Sequence, residues 1–228
     1  DGNQRFYYYD ALGRLTYQVN SLGEVKAYLY NSFNEQVDQI ELSSKISTLQ
    51  LTGGEITTAL VNSLTVDATQ DRHQQTSYNK NAMTSSTTDG EGYVVNYHYN
   101  AFGELVSQIK TLEKNAEDSA LNATKTEWQY DALGNRIQQV SDVDGLNFTT
   151  DYGFDVFNRQ IKITENGDVI SQTEYDRNGR IVETKDGLIG KETTQYDAYN
   201  RVLSKTDALD QVTLYSYDDQ NNGITVTT

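Results

Sequence analysis

The 228-residue chain contains no cysteine and no proline, one methionine, one tryptophan and two histidines. Without Cys there are no disulfides, no thiolate metal ligands and no cysteine nucleophile. With only His73 and His98 available, no spacing suggests a zinc centre, which needs at least three convergent ligands. No metal or other cofactor is expected. No G-x-S-x-G nucleophile elbow is present, and no glycine-rich loop leads from a strand into a helix as nucleotide binding requires. The absence of Pro fits a chain whose residues mostly belong to hydrogen-bonded strands, where a missing N–H would break the ladder. Basic residues are scarce as well: 18 Lys and Arg against 33 Asp and Glu leave a net charge of −15. That balance argues against nucleic-acid and anionic-membrane binding, both of which need a cationic excess. No stretch approaches 18 consecutive apolar residues, so no helix that inserts into a membrane is expected. The chain starts at Asp1, in mid-pattern and without Met or leader, and is read as a fragment or a processed chain.

What the chain does have is tyrosine. Leu, Ile, Val and Phe make up 51 of the 228 residues, just above the range in which an acidic chain is expected to be disordered, but 17 Tyr supply large rings with polar tips that can be buried on a half-wet surface. A broad, thin, Tyr-rich core is expected. The rings fall in a repeat. YDALGNRI at 130–137 recurs as YDALGRL from Tyr9, YNSFNEQV from Tyr30, YNAFGEL from Tyr99, FDVFNRQI from Phe154, YDRNGRI from Tyr175, YDAYNRV from Tyr196 and, worn, YDDQNNGI from Tyr217. The anchor rings stand 21 residues apart from Tyr9 to Tyr30, Tyr78 to Tyr99, Phe154 to Tyr175, Tyr175 to Tyr196 and Tyr196 to Tyr217. A fixed short period is the mark of a repeat array in which each unit packs on its neighbours.

Within a repeat the signals are those of two strands and two turns. Leu15, Tyr17 and Val19 alternate with polar residues, as in a strand with one buried face. The residue after the anchor is Asp10, Asn31, Asn79, Asn100, Asp131, Asp155, Asp176, Asp197 or Asp218; a short carboxylate or amide there can close an Asx turn. Three residues on stands Gly13, Asn34, Gly103, Gly134, Asn158, Gly179 or Asn200, the two residue types that best tolerate a left-handed backbone. Asp10, Gly13, Asp131, Gly134, Asp176, Gly179, Asp197 and Asn200 are therefore assigned to turn architecture. The second turn carries Asn20 with Gly23, Asp89-Gly90, Asp144-Gly145, Asn166-Gly167, Asp186-Gly187 and a worn Asp207 with Asp210, read as tight hairpins. Arg14, Arg159, Arg180 and Arg201 follow the first turn, within reach of an Asp in the same or an adjacent repeat. Two residues before the anchor stands a second aromatic, at Tyr7, Tyr28, Tyr97, Trp128, Tyr152 and Tyr215, which shares the anchor's face. These pairs are read first as packing. A ligand platform on Trp128, Tyr97 and Tyr152, for carbohydrate or a partner protein, is the second reading.

Two regions break the rhythm. Residues 43–75 are rich in Ser and Thr and are read either as degenerate repeats, with a worn copy at 49–56, or as a looped-out insertion. Residues 111–125 are charged and Ala-containing, and read as an inserted loop or a short helix. Asp142 to Gly145 and Asp218 to Gly223 have the oxygen-rich look of calcium loops, but neither ends on the closing Glu of an EF-hand. Both are assigned to turns.

The motifs at Tyr9 to Leu15, Tyr130 to Ile137 and Tyr175 to Ile181, with a second Gly turn downstream, resemble the RHS or YD-repeat family, and the similarity spans most of the chain. The resemblance implies an all-β fold: hairpins of about 21 residues forming a curved or spiralling antiparallel sheet, part of a hollow β-shell, with residues 1–228 as a single array. It also implies bacterial relatives that enclose toxic C-terminal domains and animal relatives that act in cell-surface adhesion. The family's D-P-x-G self-cleavage motif is absent, since there is no Pro. The expectation is a non-enzymatic wall module, secreted or at the cell surface. Its partner would be the rest of a larger polypeptide or that polypeptide's toxin domain, and unpaired edge strands would invite self-association.

Overall fold

The computed structural model describes residues 4–49, 51–112, 123–187, 190–221 and 223–228. Strands dominate, because alternating side chains bounded by Asx and Gly turns recur throughout. Two compact units result, Asp1–Lys125 and Thr126–Thr228.

The first unit contains β1 (Arg5–Tyr9), β2 (Leu15–Asn20), β3 (Val25–Tyr30), β4 (Gln36–Glu41), β5 (Gly54–Glu55), α1 (Thr58–Ser63), β6 (Arg72–Tyr78), β7 (Thr84–Thr88), β8 (Val94–Tyr99) and β9 (Leu105–Thr111). β1 to β4 pair antiparallel in chain order, β4 then pairs β6, and the order continues to β9. The second unit begins within β10 (Ala123–Tyr130) and runs through β11 (Arg136–Ser141), β12 (Phe148–Phe154), β13 (Gln160–Glu165), β14 (Asp168–Tyr175), β15 (Ile181–Asp186), β16 (Gly190–Tyr196), β17 (Val202–Thr206), β18 (Val212–Asp218) and β19 (Gly223–Thr227). Each of these strands is antiparallel to the next. The fold is thus all-β and antiparallel, apart from α1 and one short parallel pair.

At the anchor ring the ladder slips by one residue. Tyr8 faces Tyr17 but Tyr9 faces Leu15, and the same bulge recurs at Tyr30, Tyr78, Tyr99, Tyr130, Phe154, Tyr175 and Tyr196. A bulge increases local twist and re-aims the side chain beside it, and the rings of Tyr30, Tyr175 and Tyr196 lie beside the Arg of the preceding turn.

Residues 43–75 do not form degenerate repeats. Glu41 faces Arg72 directly across the β4/β6 ladder, and the chain between them loops out. Residues 72–75 already belong to β6. The worn copy at 49–56 makes no hairpin; its Gly54–Glu55 instead lies parallel to Tyr8–Tyr9 of β1. The physical reason is composition: the segment has no Phe, Tyr or Trp to anchor a repeat before its Asx turn at Asp67, but keeps enough Leu and Ile to pack as a layer. The expected insertion at 111–125 falls largely on residues 113–122, outside the described residues. Its flanks are strand, with Thr111 ending β9 and Ala123 opening β10.

The core differs from the Tyr-rich one expected. Phe6, Tyr8, Val19, Val25, Ile46 and Leu60 form the buried cluster, all in the first unit, with Ile46 and Leu60 supplied by the insertion. The paired rings Tyr7 and Tyr9 are exposed, whereas Phe6 and Tyr8, which alternate with them, are buried. Elsewhere the ring pairs are half-buried, as at Tyr28 and Tyr30 or Trp128 and Tyr130. A single sheet can cover a face only with its own side chains unless another layer lies on it, and the insertion provides that layer over β1 to β3 alone.

Candidate functional site

Eleven turns among the described residues share one construction, beginning at Asp10, Asn20, Asn31, Asn79, Asp89, Asn100, Asp131, Asp155, Asp176, Asp197 and Asp207. In the first, the Asp10 N–H donates to the Arg14 carbonyl and the Gly13 N–H to the Asp10 carbonyl, both at 2.9 Å. The Asp10 Oδ1 accepts from the Leu12 and Arg14 N–H groups, again at 2.9 Å. The other ten repeat this pattern residue for residue. The fourth residue of the eleven lies at φ between 58° and 87°. This corrects the reading of the second turn. Asp89-Gly90 is not a tight hairpin, because the left-handed residue is Gly92, and Asn20 and Asp207 likewise open five-residue Asx turns. Asn166-Gly167, at φ 48° and 92°, is a two-residue hairpin joining Glu165 to Asp168. Asp142 anchors a longer loop, its carbonyl accepting from Gly145 and Asn147.

In eight of these eleven turns the fifth residue complements the first. Where the first is Asp10, Asp155, Asp176 or Asp197, the fifth is Arg, and its Nε donates to the carboxylate at 2.6–2.7 Å. Where the first is Asn20, Asn31 or Asn100, the fifth is Glu, which accepts from the amide at 2.6–2.7 Å. Asp131 takes Asn135 at 2.9 Å. Donor is matched to acceptor in each case. The carboxyls respond: the Arg14 N–H and then its guanidinium hold Asp10 below the usual carboxylate range. The Arg side chain leads in doing so at Asp155 and Asp176, and the Asn135 amide at Asp131.

The same arginines reach the next repeat. Arg14, Arg159, Arg180 and Arg201 place their guanidinium carbons 4.7, 3.7, 4.6 and 4.3 Å from the ring centroids of Tyr30, Tyr175, Tyr196 and Tyr217. Arg180 Nη1 also donates to the Asp197 carbonyl at 3.0 Å and to Asn200 Oδ1 at 2.9 Å, and Arg14 Nη1 to Asn34 Oδ1 at 2.9 Å. In return, the anchor hydroxyls of Tyr30, Tyr78 and Tyr217 donate to the carbonyls of Leu15, Gln36 and Val202, just past the preceding turn, at 2.8–2.9 Å. Each clasp binds one turn to the ring of the next repeat.

Each of the three aromatic candidates has its own neighbours. The Trp128 indole N–H donates to Gln139 Oε1 at 2.9 Å, and Arg136 lies 5.7 Å from its ring. The Tyr97 hydroxyl lies 3.4 Å from Thr87 Oγ1, within the first unit. Tyr152 lines an open depression of about 430 Å³ with Tyr130, Arg136, Phe154 and Gln160. Among the described residues no three His, Asp or Glu side chains converge as a metal-binding set. His98 is exposed. His73 carries a contact that sequence reasoning missed: its Nδ1 is 2.8 Å from Oδ2 of the buried Asp38, across β4 and β6. No spacing signals that pair, since the looped-out segment separates its members. Also unforeseen are the apolar side chains at the third turn position, where Leu12, Phe33, Phe102, Leu133, Phe157 and Tyr199 stand largely in solvent.

Turn, fifth-residue clasp and anchor ring together are the geometry of a structural repeat, and the profile of the RHS repeat matches residues 175–208 and 196–228. Residues 175–228 carry RHS repeats. No curated protein matches it. Among solved structures, this RHS-repeat chain is similar to the TcdB2–TccC3 complex, at 17% identity and a TM-score of 0.55, over 95% of this chain and 12% of that one. The same complex without its hypervariable C-terminal region aligns at 14% identity and a TM-score of 0.51, over 100% of this chain and 15% of that one. The shared feature is the fold. The RHS-repeat chain spans only 12–15% of the length of those two chains.

Proposed function

We propose that these RHS repeats form a non-enzymatic structural module, a stretch of the curved wall of a larger β-shell, with residues 1–228 as one array. The observation that carries this reading is the saturation of the turn carboxylates. Asp10, Asp155, Asp176 and Asp197 each accept two backbone N–H groups and a guanidinium. Groups so engaged, with pKa values held low at Asp10, Asp155 and Asp176, are poor candidates for general acids or bases, which need a pKa near the working pH. By the family resemblance, the wall belongs to a secreted or cell-surface polypeptide and encloses or presents another segment of it, such as a toxin domain. Protease protection tests this. In the polypeptide that contains these repeats, an enclosed segment survives trypsin that digests the same segment expressed alone; equal digestion of the two contradicts the reading.

A second reading, adhesion through carbohydrate or protein contacts, is favoured by the aromatic depression at Tyr130, Tyr152 and Phe154, whose volume and mixed lining suit a small ligand. Glycan-array binding that is lost in Tyr152→Ala or Trp128→Ala supports it, and an array without signal removes it.

A further inference from the structure

The looped-out segment between β4 and β6 forms a strap over the start of the sheet. Its neck is closed where the Ser43 N–H and hydroxyl both donate to Asp71 Oδ1, at 2.8 and 2.9 Å. From there the Ile46 N–H donates to the Gly23 carbonyl at 2.9 Å. The approach is close enough that a Cβ on Gly23 would lie 2.1 Å from the Ile46 carbonyl oxygen. Ile46 and, from α1, Leu60 then cover Phe6, Tyr8, Val19 and Val25. Gly53 and Gly54, at φ 73° and 98°, swing the backbone alongside β1; a Cβ on Gly53 would meet the Tyr7 carbonyl at 3.2 Å. Gly54 and Glu55 pair in parallel with Tyr8 and Tyr9, on the edge of β1 that β2 leaves free.

We propose that this strap is an edge cap: it occupies the outer edge of β1 and so stops strand addition there, whether by a second copy of the chain or by polypeptide preceding Arg5. An uncapped β1 would present unpaired N–H and C=O groups beside an apolar face of Phe6 and Tyr8, the combination most prone to edge-to-edge pairing. The strap acts on both features at once, since its backbone pairs the Tyr8–Tyr9 end of that edge and its Leu and Ile cover the face. Only residues of the first unit are involved, so the wall reading and the cap can fail separately.

The test uses the absence of native Cys. Tyr7→Cys sits at the middle of β1 and is partly exposed, so two uncapped β1 edges meeting antiparallel bring the two thiols together. Three backgrounds are compared under mild oxidation: the intact strap, residues 42–71 replaced by Asn-Gly, and Glu55→Pro. Asn-Gly suits the gap because Glu41 faces Arg72 as Glu165 faces Asp168, which the chain itself joins by Asn-Gly. Glu55→Pro removes a backbone N–H from the two-residue strand that pairs with β1 while keeping the strap's apolar contacts, and serves if the replacement variant loses its β-sheet circular dichroism. Disulfide-linked dimer at least about tenfold above the intact background, in either variant that keeps its β spectrum, supports the cap. Equal cross-linking with the strap intact and disrupted overturns it.

Discussion

Gly13→Ala isolates the cost of the shared turn more cleanly than any other substitution. Gly13 has φ 76°, and a Cβ built on it meets no atom within 4 Å, so Ala adds no clash and the backbone conformation alone sets the cost. A left-handed conformation disfavours a non-glycine residue by about 1–2 kcal/mol, and the lower entropy of the unfolded Ala chain offsets roughly 0.4–1 kcal/mol. The net destabilisation is about 1 kcal/mol, or about 4 °C in melting temperature for a unit of this size. The chain holds its own controls. Ala82 occupies the equivalent place at φ 58°, so the strain is tolerable, and Asn34, Asn158 and Asn200 occupy it at φ 64–66°. Gly13→Asn is therefore expected to cost only a few tenths of a kcal/mol, because Asn enters this region most readily. Thermal unfolding followed by circular dichroism, with urea midpoints as a check, ranks the variants Gly, Asn, Ala from most to least stable. Asn as damaging as Ala, or Ala without effect, would refute the left-handed account of the turn.

Stability should also depend on pH with a definite sign. Asp10, Asp131, Asp155 and Asp176 have carboxyl pKa values lowered in the folded chain. Their contribution is full at neutral pH and is lost as pH falls through the carboxylate range, below about 4; a urea midpoint that stays level from pH 7 to 3 would contradict this. Asn31→Asp sets a carboxylate against Glu35, whose Oε2 now accepts from the amide at 2.6 Å, and should cost about 0.5–1 kcal/mol at pH 7. Adding Glu35→Arg recreates the Asp–Arg form of the turn and should recover most of the loss, as read from melting temperatures. Leu60→Ala opens a cavity under the strap, where Leu60 is only 2% exposed, and should destabilise by about 2–4 kcal/mol in urea unfolding; a loss below about 1 kcal/mol would mean that the strap is loosely attached.

The fold and most of the turns were legible in the sequence because each rests on a local rule. Asp10 with Gly13, and Asn31 with Asn34, announce an Asx turn and a left-handed residue without any reference to the rest of the chain. The second turns were legible too, but at another spacing: Asn20 and Gly23, Asp89 and Gly92, and Asp207 and Asp210 all stand three apart, as in the first turn, while the adjacent Asp89-Gly90 drew attention to the wrong glycine. The Arg clasp could not be read beyond a choice of partners, since the bulge that turns Tyr30 or Tyr196 toward the preceding Arg is a property of the ladder. The burial pattern was hidden for a different reason. Alternation tells which residues share a face and not which face is covered, and the covering layer over Phe6 and Tyr8 comes from Ile46 and Leu60, in a region without the repeat's period. The aromatic candidates Trp128, Tyr97 and Tyr152 were chosen as rings two residues before the anchor, a pattern that marks a face of the strand and not what surrounds each ring: Gln139 at Trp128, Thr87 at Tyr97 and an open depression at Tyr152.

The central claim is that turn residues which look like chemistry are architecture, joining each repeat to the next. Its most direct test is a double-mutant cycle on Arg180 and Tyr196, from Arg180→Ala, Tyr196→Leu and the double variant, with stabilities measured by urea unfolding. The guanidinium lies 4.6 Å from the ring centroid, and a coupling of about 0.5–1 kcal/mol is predicted. Additive effects of the two substitutions would contradict the account.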